Sequence, residues 1–188
     1  MNRRAASFIL GIALALTLSA GLWWFLAGRS ERSTGPAGGR PEEAGPTERV
    51  VFNLYFAEGG QLRAEPRELE VTESPKNRIR KIVEALLEGP RQRGLAPLFP
   101  KEVTLGSVQL GDDGTAYLDL RWPEHDEPPA SGSTEEIQRV YGVVNSVTDN
   151  VPQATQVVLL WNGLQRATFS GHLDTSSPLT PDRSILAR

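Results

Sequence analysis

The longest uncharged stretch of the chain lies near its N-terminus. Residues 8–27 contain no charged side chain, and about 20 such residues are the length that a helix needs to cross a bilayer. Bulky Trp23, Trp24 and Phe25 stand at its far end, where a signal peptide needs small residues for cleavage. The pattern therefore predicts a retained transmembrane anchor rather than a cleaved signal.

Residues 28–48 combine glycine, proline and charge without apolar periodicity, which is typical of a flexible tether. Basic residues flank the predicted anchor on both sides, so their count does not decide its orientation. The short head of residues 1–7 most simply stays in the cytoplasm. We therefore expect a single-pass protein of the cytoplasmic membrane whose C-terminal domain lies outside the cytoplasm.

Alternating apolar and polar positions begin the globular part. In residues 50–58 apolar side chains occupy every second position, which predicts a strand. The glycine pair that follows predicts a hairpin turn, and residues 67–71 alternate weakly as a second strand. The Ser-Pro pair at 74–75 starts a helix with one apolar stripe, and the Gly-Pro pair at 89–90 ends it.

Two strands, a second helix and a last strand follow. Residues 103–110 and 115–122 alternate on either side of a Gly-Asp-Asp-Gly turn, as in a hairpin. Ser133 and Glu136 have the spacing of a capping box and precede apolar residues at helical spacing. The five apolar residues 157–161 predict a strand that is buried on both faces.

These elements predict an α+β fold with the order ββαββαβ. One mixed sheet of about four to five strands, with both amphipathic helices packed on one face, is the economical way to bury the apolar stripes. The other face would then be open, and we expect Tyr55, Tyr117 and Asp119 on it. Exposed aromatic side chains on a sheet can mark an association surface, unless the C-terminal tail covers them.

Charge excludes one class of partner and suggests another. The chain carries 20 basic and 23 acidic residues, a net charge of −3, so nothing favours binding to the phosphates of a nucleic acid. The absence of cysteine excludes disulfides and a lipid-modified cysteine. Arg91 and Arg93 follow the first helix and could recognise an acidic partner, although arginines in such loops usually only increase solubility.

Candidate catalytic chemistry is sparse. His125, in the acidic loop of residues 124–127, could attract a divalent metal, and His172 with Asp174 could form a base and its orienting group. Neither arrangement has the spacing or the third ligand of a zinc site, and a glycine-rich phosphate loop is missing. We therefore expect neither an enzyme nor a cofactor, and interpret both histidines as solvated loop residues.

Seven short motifs resemble, in their order, the sporulation and germination domain named after GerM, the GerMN domain. They are LYF at 54–56, ALLEGP at 85–90, FP at 99–100, AYLDL at 116–120, VTDNVP at 147–152, VVLLWNG at 157–163 and HLDTSSPL at 172–179.

The resemblance covers residues 49–179 and leaves 180–188 as a C-terminal tail. It implies an extracytoplasmic domain, similar to the ring-building modules of secretion-like assemblies, to which no catalytic residues are assigned. GerM itself has two copies of the domain and a lipid anchor, whereas this chain shows one copy and a predicted membrane helix.

The sequence thus predicts a non-catalytic interaction or assembly module of the cell envelope, whose partner is an envelope protein or a second copy. The alternative is a domain that binds a small ligand or a cell-wall glycan, with Trp122, Tyr141 and Trp161 as stacking platforms.

Overall fold

The structure is a computed structural model that describes residues 46–187. The predicted head, the predicted anchor at 8–27 and all but the end of the predicted linker lie outside these residues. Within the described range, no helix combines the length and the apolar character that a membrane crossing needs.

Residues 46–187 form an α+β fold, as expected. The predicted order ββαββαβ is confirmed, with one short strand added at the end. The elements are β1 (Glu48–Glu58), β2 (Gln61–Val71), α1 (Pro75–Glu88), β3 (Thr104–Leu110), β4 (Thr115–Arg121), α2 (Ser133–Asn150), β5 (Gln156–Trp161) and β6 (Leu164–Gln165).

The last four strands form a mixed sheet in the order β3-β4-β5-β6. Strands β3 and β4 are an antiparallel hairpin, β4 and β5 run parallel, and β5 and β6 form a second hairpin. The parallel pair needs a crossover, which contains α2. The apolar run in β5 is buried on both faces at Val157, Val158 and Leu159, as its sequence predicts.

Strands β1 and β2 form a sheet of their own instead of joining the others in the single sheet that we expected. The reason lies at the free edge of β1, where backbone N–H groups meet α2. Asn53 N–H donates to Asn150 Oδ1 at 3.0 Å, and Tyr55 N–H donates to Ser146 Oγ at 2.9 Å. An edge whose N–H groups are satisfied by a helix does not need a further strand.

Helix α2 presents one side to β1 that is built from every fourth residue. Gln138 Nε2 donates to two carbonyls around the β1–β2 turn, at 3.1 and 2.7 Å. A Cβ atom at Gly142 would lie 3.0 Å from the carbonyl oxygen of Tyr55, so the glycine permits the close approach. Residues four apart share a helix face, and this face consists of Gln138, Gly142, Ser146 and Asn150.

The core lies where both helices contact strands of both sheets. The apolar stripe predicted for α1 is buried, and Ser74 caps this helix by accepting a hydrogen bond from Asn77 N. Burial of one large apolar side chain contributes roughly 1.5 to 3 kcal/mol. The capping box predicted for α2 is wrong: Gly132 is the N-cap, without a side-chain cap, and the Glu136 carboxylate binds a distant loop.

The largest differences from the predicted boundaries are at β2 and at the C-terminus. Strand β2 starts at Gln61 rather than at 67, because its buried side carries Glu65 and Arg67, which interrupt the apolar alternation. Residues 180–187, expected as a tail, are fastened to the domain: Leu62 N–H donates to Ile185 O at 2.8 Å, and Ala187 N–H donates to Leu62 O at 2.7 Å.

Candidate functional site

Tyr55 does not lie on an open sheet face, contrary to our expectation, because α2 covers it. Its side chain is only 8% exposed, and its hydroxyl donates to Asp149 Oδ2 at 2.7 Å. Arg183, from the C-terminal segment, donates to the other oxygen of Asp149 at 2.7 Å. Burial, reinforced by Asp149, raises the pKa of Tyr55 to about 12. Tyr55 therefore joins β1, α2 and the C-terminal segment.

Tyr117 and Asp119 share the outer side of β4 but differ in exposure. Tyr117 is exposed, whereas Asp119 is buried, again contrary to expectation. The Asp119 carboxylate pairs with Arg121 Nε at 2.7 Å and accepts a hydrogen bond from Gly163 N at 2.7 Å. Asp119 thus fastens the β5–β6 turn, and Tyr117 remains available on the surface.

The neighbours of Tyr117 across the sheet are partly apolar. Gln109 of β3 and Val158 of β5 pair with it in register. Val158 is buried and Leu160, two residues further along β5, is partly exposed. Tyr117 therefore lies between exposed Gln109 and buried Val158 in a cross-strand row, and we call this row the Tyr117 face.

Arg91 and Arg93 are exposed on the loop after α1, as expected, and a buried carboxylate holds that loop. Glu65 Oε2 accepts hydrogen bonds from Arg91 N and Gln92 N, both at 2.8 Å. Burial acts to raise the pKa of Glu65, but hydrogen bonds from Gln92, Arg67 and Arg91 outweigh it, and the pKa is lowered.

Arg67 completes this anchor from the same strand. Its guanidinium forms an ion pair with Glu65 and donates to Ala85 O at 2.9 Å and to Gly89 O at 3.0 Å. The group also lies 5.5 Å from the centre of the Phe56 ring, within the range of a cation–π contact. The end of α1 and the loop that follows are therefore fixed from beneath by two buried charges.

His172 was interpreted as a solvated loop residue, and its ring is exposed but contacts Glu136 rather than Asp174, the partner considered for a catalytic pair. Its Nδ1 lies 2.9 Å from Oε2 of Glu136, which is fully buried, while Asp174 bonds to Ser176. The Glu136 carboxylate also accepts hydrogen bonds from three backbone N–H groups of residues 170–173, at 2.6, 2.9 and 3.2 Å.

A buried carboxylate that orients an imidazole is an arrangement known from general bases. Burial acts to raise the pKa of Glu136, but hydrogen bonds from Ser170, Leu173 and His172 outweigh it, and the pKa is lowered. Within residues 46–187, no hydroxyl group is hydrogen-bonded to the His172 ring, so these contacts support the fixing of a loop rather than activation of a nucleophile.

The Asn-Gly turn between β5 and β6 fixes the loop that follows β4. Asn162 adopts a left-handed conformation with φ of 49°, which asparagine tolerates. Its side chain accepts a hydrogen bond from Trp122 N at 3.1 Å and donates to His125 O at 2.8 Å. Trp161 Nε1 donates to the same His125 carbonyl at 2.9 Å, which positions the acidic loop beside the aromatic residues.

That loop borders a groove of about 550 Å³, the Trp122 groove, which is lined by Pro100, Trp122 and residues 124–130. The ring of His125 lies 3.7 Å from that of Trp122. Glu127 forms an ion pair with Arg166, whereas Glu124 and Asp126 have no ion-pair partner among the described residues. No group of His, Asp and Glu side chains within residues 46–187 is arranged to hold a metal ion.

The three aromatic residues considered as stacking platforms differ in accessibility. Trp161 is 1% exposed and belongs to the core, where its ring packs edge-on against Phe169. Tyr141 is partly buried on α2, and burial raises its pKa. Trp122 is also partly buried, and it is the member of the set that lines the groove.

Comparison with known proteins identifies the family. The family model Germane, described as sporulation and spore germination, matches residues 53–167. The chain belongs to the Germane family. No curated protein matches it.

Solved structures share the fold of this Germane domain. The first GerMN domain of the Bacillus subtilis sporulation protein GerM is 19% identical, with a TM-score of 0.52 over 72% of this chain and 98% of that one. The tandem GerMN domains of the same protein are 20% identical, with a TM-score of 0.56; the match covers 71% of this chain and 46% of the tandem structure. The matched region therefore has the extent of one GerMN domain.

A Clostridium perfringens protein described as a lipoprotein is also similar. It is 23% identical, with a TM-score of 0.50 over 72% of this chain and 87% of that one. At such identities the similarity shows the fold alone.

Two of the motifs that resemble the GerMN domain lie where loops are fixed by hydrogen bonds. ALLEGP ends α1 at the Arg67 anchor, and VVLLWNG carries the Asn162 turn. The buried charges Glu65, Arg67 and Glu136 were not singled out as anchors from the sequence. A charged residue on the apolar side of a strand or helix is the signal that could have found them.

Proposed function

We propose that this chain is a non-catalytic interaction and assembly module of the bacterial cell envelope. Residues 8–27 would anchor it in the cytoplasmic membrane, and the Germane domain would face outward. Membership of a sporulation and germination family and the likeness to a protein described as a lipoprotein support an envelope role.

The Tyr117 face is the observation that carries the proposal. Buried ionisable side chains such as Glu65, Glu136 and Asp119 hold loops, and their oxygens are occupied by hydrogen bonds. Tyr117, in contrast, is exposed in the middle of a regular sheet. Tyrosine on a rigid surface is favoured at protein interfaces, because it buries a large area at low entropic cost.

Crosslinking in intact cells followed by purification of the full-length chain tests this proposal. We expect wild type to recover a defined envelope protein or its own multimers, and Tyr117→Glu to lose at least one of these products while keeping the wild-type unfolding midpoint. Val51→Glu is the matched control, since Val51 is 64% exposed on the other sheet. Equal crosslinking by the folded Tyr117 variant would contradict the Tyr117 face as the interface.

The Trp122 groove favours a second candidate, binding of a small ligand or a cell-wall glycan. An indole can stack on a sugar ring, and carboxylates beside it can accept hydrogen bonds from the sugar hydroxyls. Titration with soluble wall fragments should then change tryptophan fluorescence in wild type and not in Trp122→Phe. An unchanged signal in the wild type would remove this candidate.

A further inference from the structure

We propose that two copies of this chain contact each other through the arginine loop of one copy, residues 91–93, and the Trp122 groove of the other. This inference rests on the proposed function, because it names a second copy as a partner of the assembly module. The two surfaces are exposed on the described part of the same chain and have opposite charges.

The arginine loop is rigid before any contact forms. Glu65 accepts hydrogen bonds from the backbone of Arg91 and Gln92, and Arg67 binds the carbonyl of Gly89 just before them. The side chains above this anchor are accessible to a partner, since that of Arg91 is 68% exposed. A loop that is already ordered loses little conformational entropy on association.

The Trp122 groove has the chemistry that a guanidinium requires. It is lined by prolines, by the Trp122 indole with the His125 ring packed 3.7 Å from it, and by Glu124 and Asp126, which have no ion-pair partner among the described residues. A guanidinium stacks on an aromatic ring and pairs with carboxylates in a fixed, bidentate geometry. Tryptophan and arginine are also the residues that most often dominate the binding energy of interfaces.

The two surfaces do not satisfy each other within one chain. Arg91 lies 3.6 Å from the Glu88 carboxylate. An ion pair between two exposed side chains contributes little to stability. In the part of the chain that the structure describes, Arg93 has no ion pair, and neither arginine is paired with Glu124 or Asp126. Arg93, Glu124 and Asp126 therefore carry complementary charges that are unpaired among the described residues, which favours a contact between copies.

Engineered disulfides test this contact in the full-length chain, which contains no native cysteine. One copy carries Gln92→Cys in the arginine loop and the other Ala130→Cys in the groove, so that every charge of the contact is retained. We expect a disulfide-linked pair when the two variants are co-expressed and their membranes are treated with a mild oxidant. Val51→Cys in place of Ala130→Cys is the control for random collision.

Charge reversal identifies the groups that make the contact. Adding Arg91→Glu and Arg93→Glu to the loop copy should abolish the linked pair, and adding Glu124→Arg and Asp126→Arg to the groove copy should restore it. Lys76→Glu with Arg80→Glu, on the surface of α1, changes the net charge by the same amount and should leave the pair unchanged. Unfolding midpoints equal to that of the wild-type protein would show that the variants are folded.

The proposal is overturned if Ala130→Cys links no better than Val51→Cys, or if loop reversal leaves the linked pair intact. It is also overturned if the groove binds only wall fragments or a basic peptide while the chain gives no self-linked pair. The proposed function has its own test, and it is contradicted if Tyr117→Glu leaves every crosslinked product unchanged. The outcome at the groove therefore does not depend on the outcome at Tyr117.

Discussion

At the scale of single residues, several side chains that suggested catalysis or recognition instead hold segments of the fold together by hydrogen bonds. Tyr55 and Asp119 were expected on an open face, but each donates or accepts hydrogen bonds that join separate segments. His172 was expected to be a solvated loop residue, yet its ring contacts Glu136. Burial of a polar group is costly unless its hydrogen bonds are made, and the buried members Tyr55, Asp119 and Glu136 are all hydrogen-bonded.

Tyr55→Phe tests the fastening of α2 and the C-terminal segment to β1. Loss of one hydrogen bond should lower the free energy of unfolding by about 1 kcal/mol, measured by urea titration at neutral pH. The folded-state pKa of about 12 lies above the ordinary value of 10.0. The stabilisation by Tyr55 should therefore be lost as pH rises from about 10 to about 12.

Tyr117→Phe is the control for this experiment, since Tyr117 is exposed. It should leave both the unfolding free energy and its alkaline pH dependence close to wild type. An alkaline loss of stability in Tyr55→Phe as large as in wild type would show that another group causes it.

Glu136→Gln tests the carboxylate that binds residues 170–173. Three backbone N–H groups and His172 favour the charged form, so the pKa of Glu136 is lowered in the folded state. Its contribution to stability is present above the unfolded pKa, about 4.3, and is lost as pH falls through the lower folded value. The variant should have a lower free energy of unfolding at pH 7. The part of the acid-induced loss of stability that comes from Glu136 should be absent from it.

Urea titrations between pH 7 and pH 3 measure this effect. Glu102→Gln, at an exposed position, should reproduce the wild-type curve. If Glu136→Gln also reproduces it, the carboxylate does not hold the loop by charge.

At the scale of elements, the approach of α2 to β1 decides how the sheets divide. The helix occupies the free edge of β1 with Ser146 and Asn150, and Gly142 allows the backbones to come close. The same helix carries Glu136 towards residues 170–173 on its other side. One element thus separates the first hairpin from the larger sheet and also positions the loops.

Gly142→Ala tests this close approach. Alanine stabilises an isolated helix by roughly 1 kcal/mol relative to glycine, but its Cβ would lie 2.5 Å from Leu98 Cδ1 and 3.0 Å from Tyr55 O. We expect the steric cost to exceed the helical gain, with a net loss of about 1 to 3 kcal/mol in the free energy of unfolding.

Gly60→Ala is the matched control, because no atom lies within 4 Å of a Cβ built there. Its unfolding midpoint in urea should remain near that of wild type. A stabilised Gly142→Ala variant would mean that the helix does not touch β1 at this point.

At the scale of the whole molecule, the C-terminal segment closes the domain. Asp182 exchanges two hydrogen bonds with Asn145 at 2.8 and 3.0 Å, and Arg183 reaches Asp149. Residues 185 and 187 then bond to both backbone groups of Leu62. The segment therefore links α2 to β2, two elements that are distant in sequence.

Removal of residues 181–188 should lower the urea midpoint of the full-length chain by releasing these contacts and exposing Leu62. Circular dichroism in urea measures the shift, and Thr180→Ala, at an exposed position just before the deletion, should not change the midpoint. An unshifted midpoint in the truncated chain would show that the segment contributes nothing to stability.

The sequence by itself determined the elements and their order, because apolar periodicity and turn residues are local signals. The alternation in residues 50–58, the Ser-Pro start of α1 and the apolar run in β5 all appear where predicted. The family also followed from the sequence, since seven short motifs occur in the order of the GerMN domain.

Only the tertiary structure decided how these elements combine. The division into two sheets depends on where α2 meets the edge of β1, and that edge contact joins residues that are 97 and 91 positions apart. The anchors Glu65, Arg67 and Glu136 depend on backbone groups supplied by distant loops, as does the burial of Tyr55. Local periodicity contains no information on such partners, because which polar group meets which is set by the packing of the whole domain.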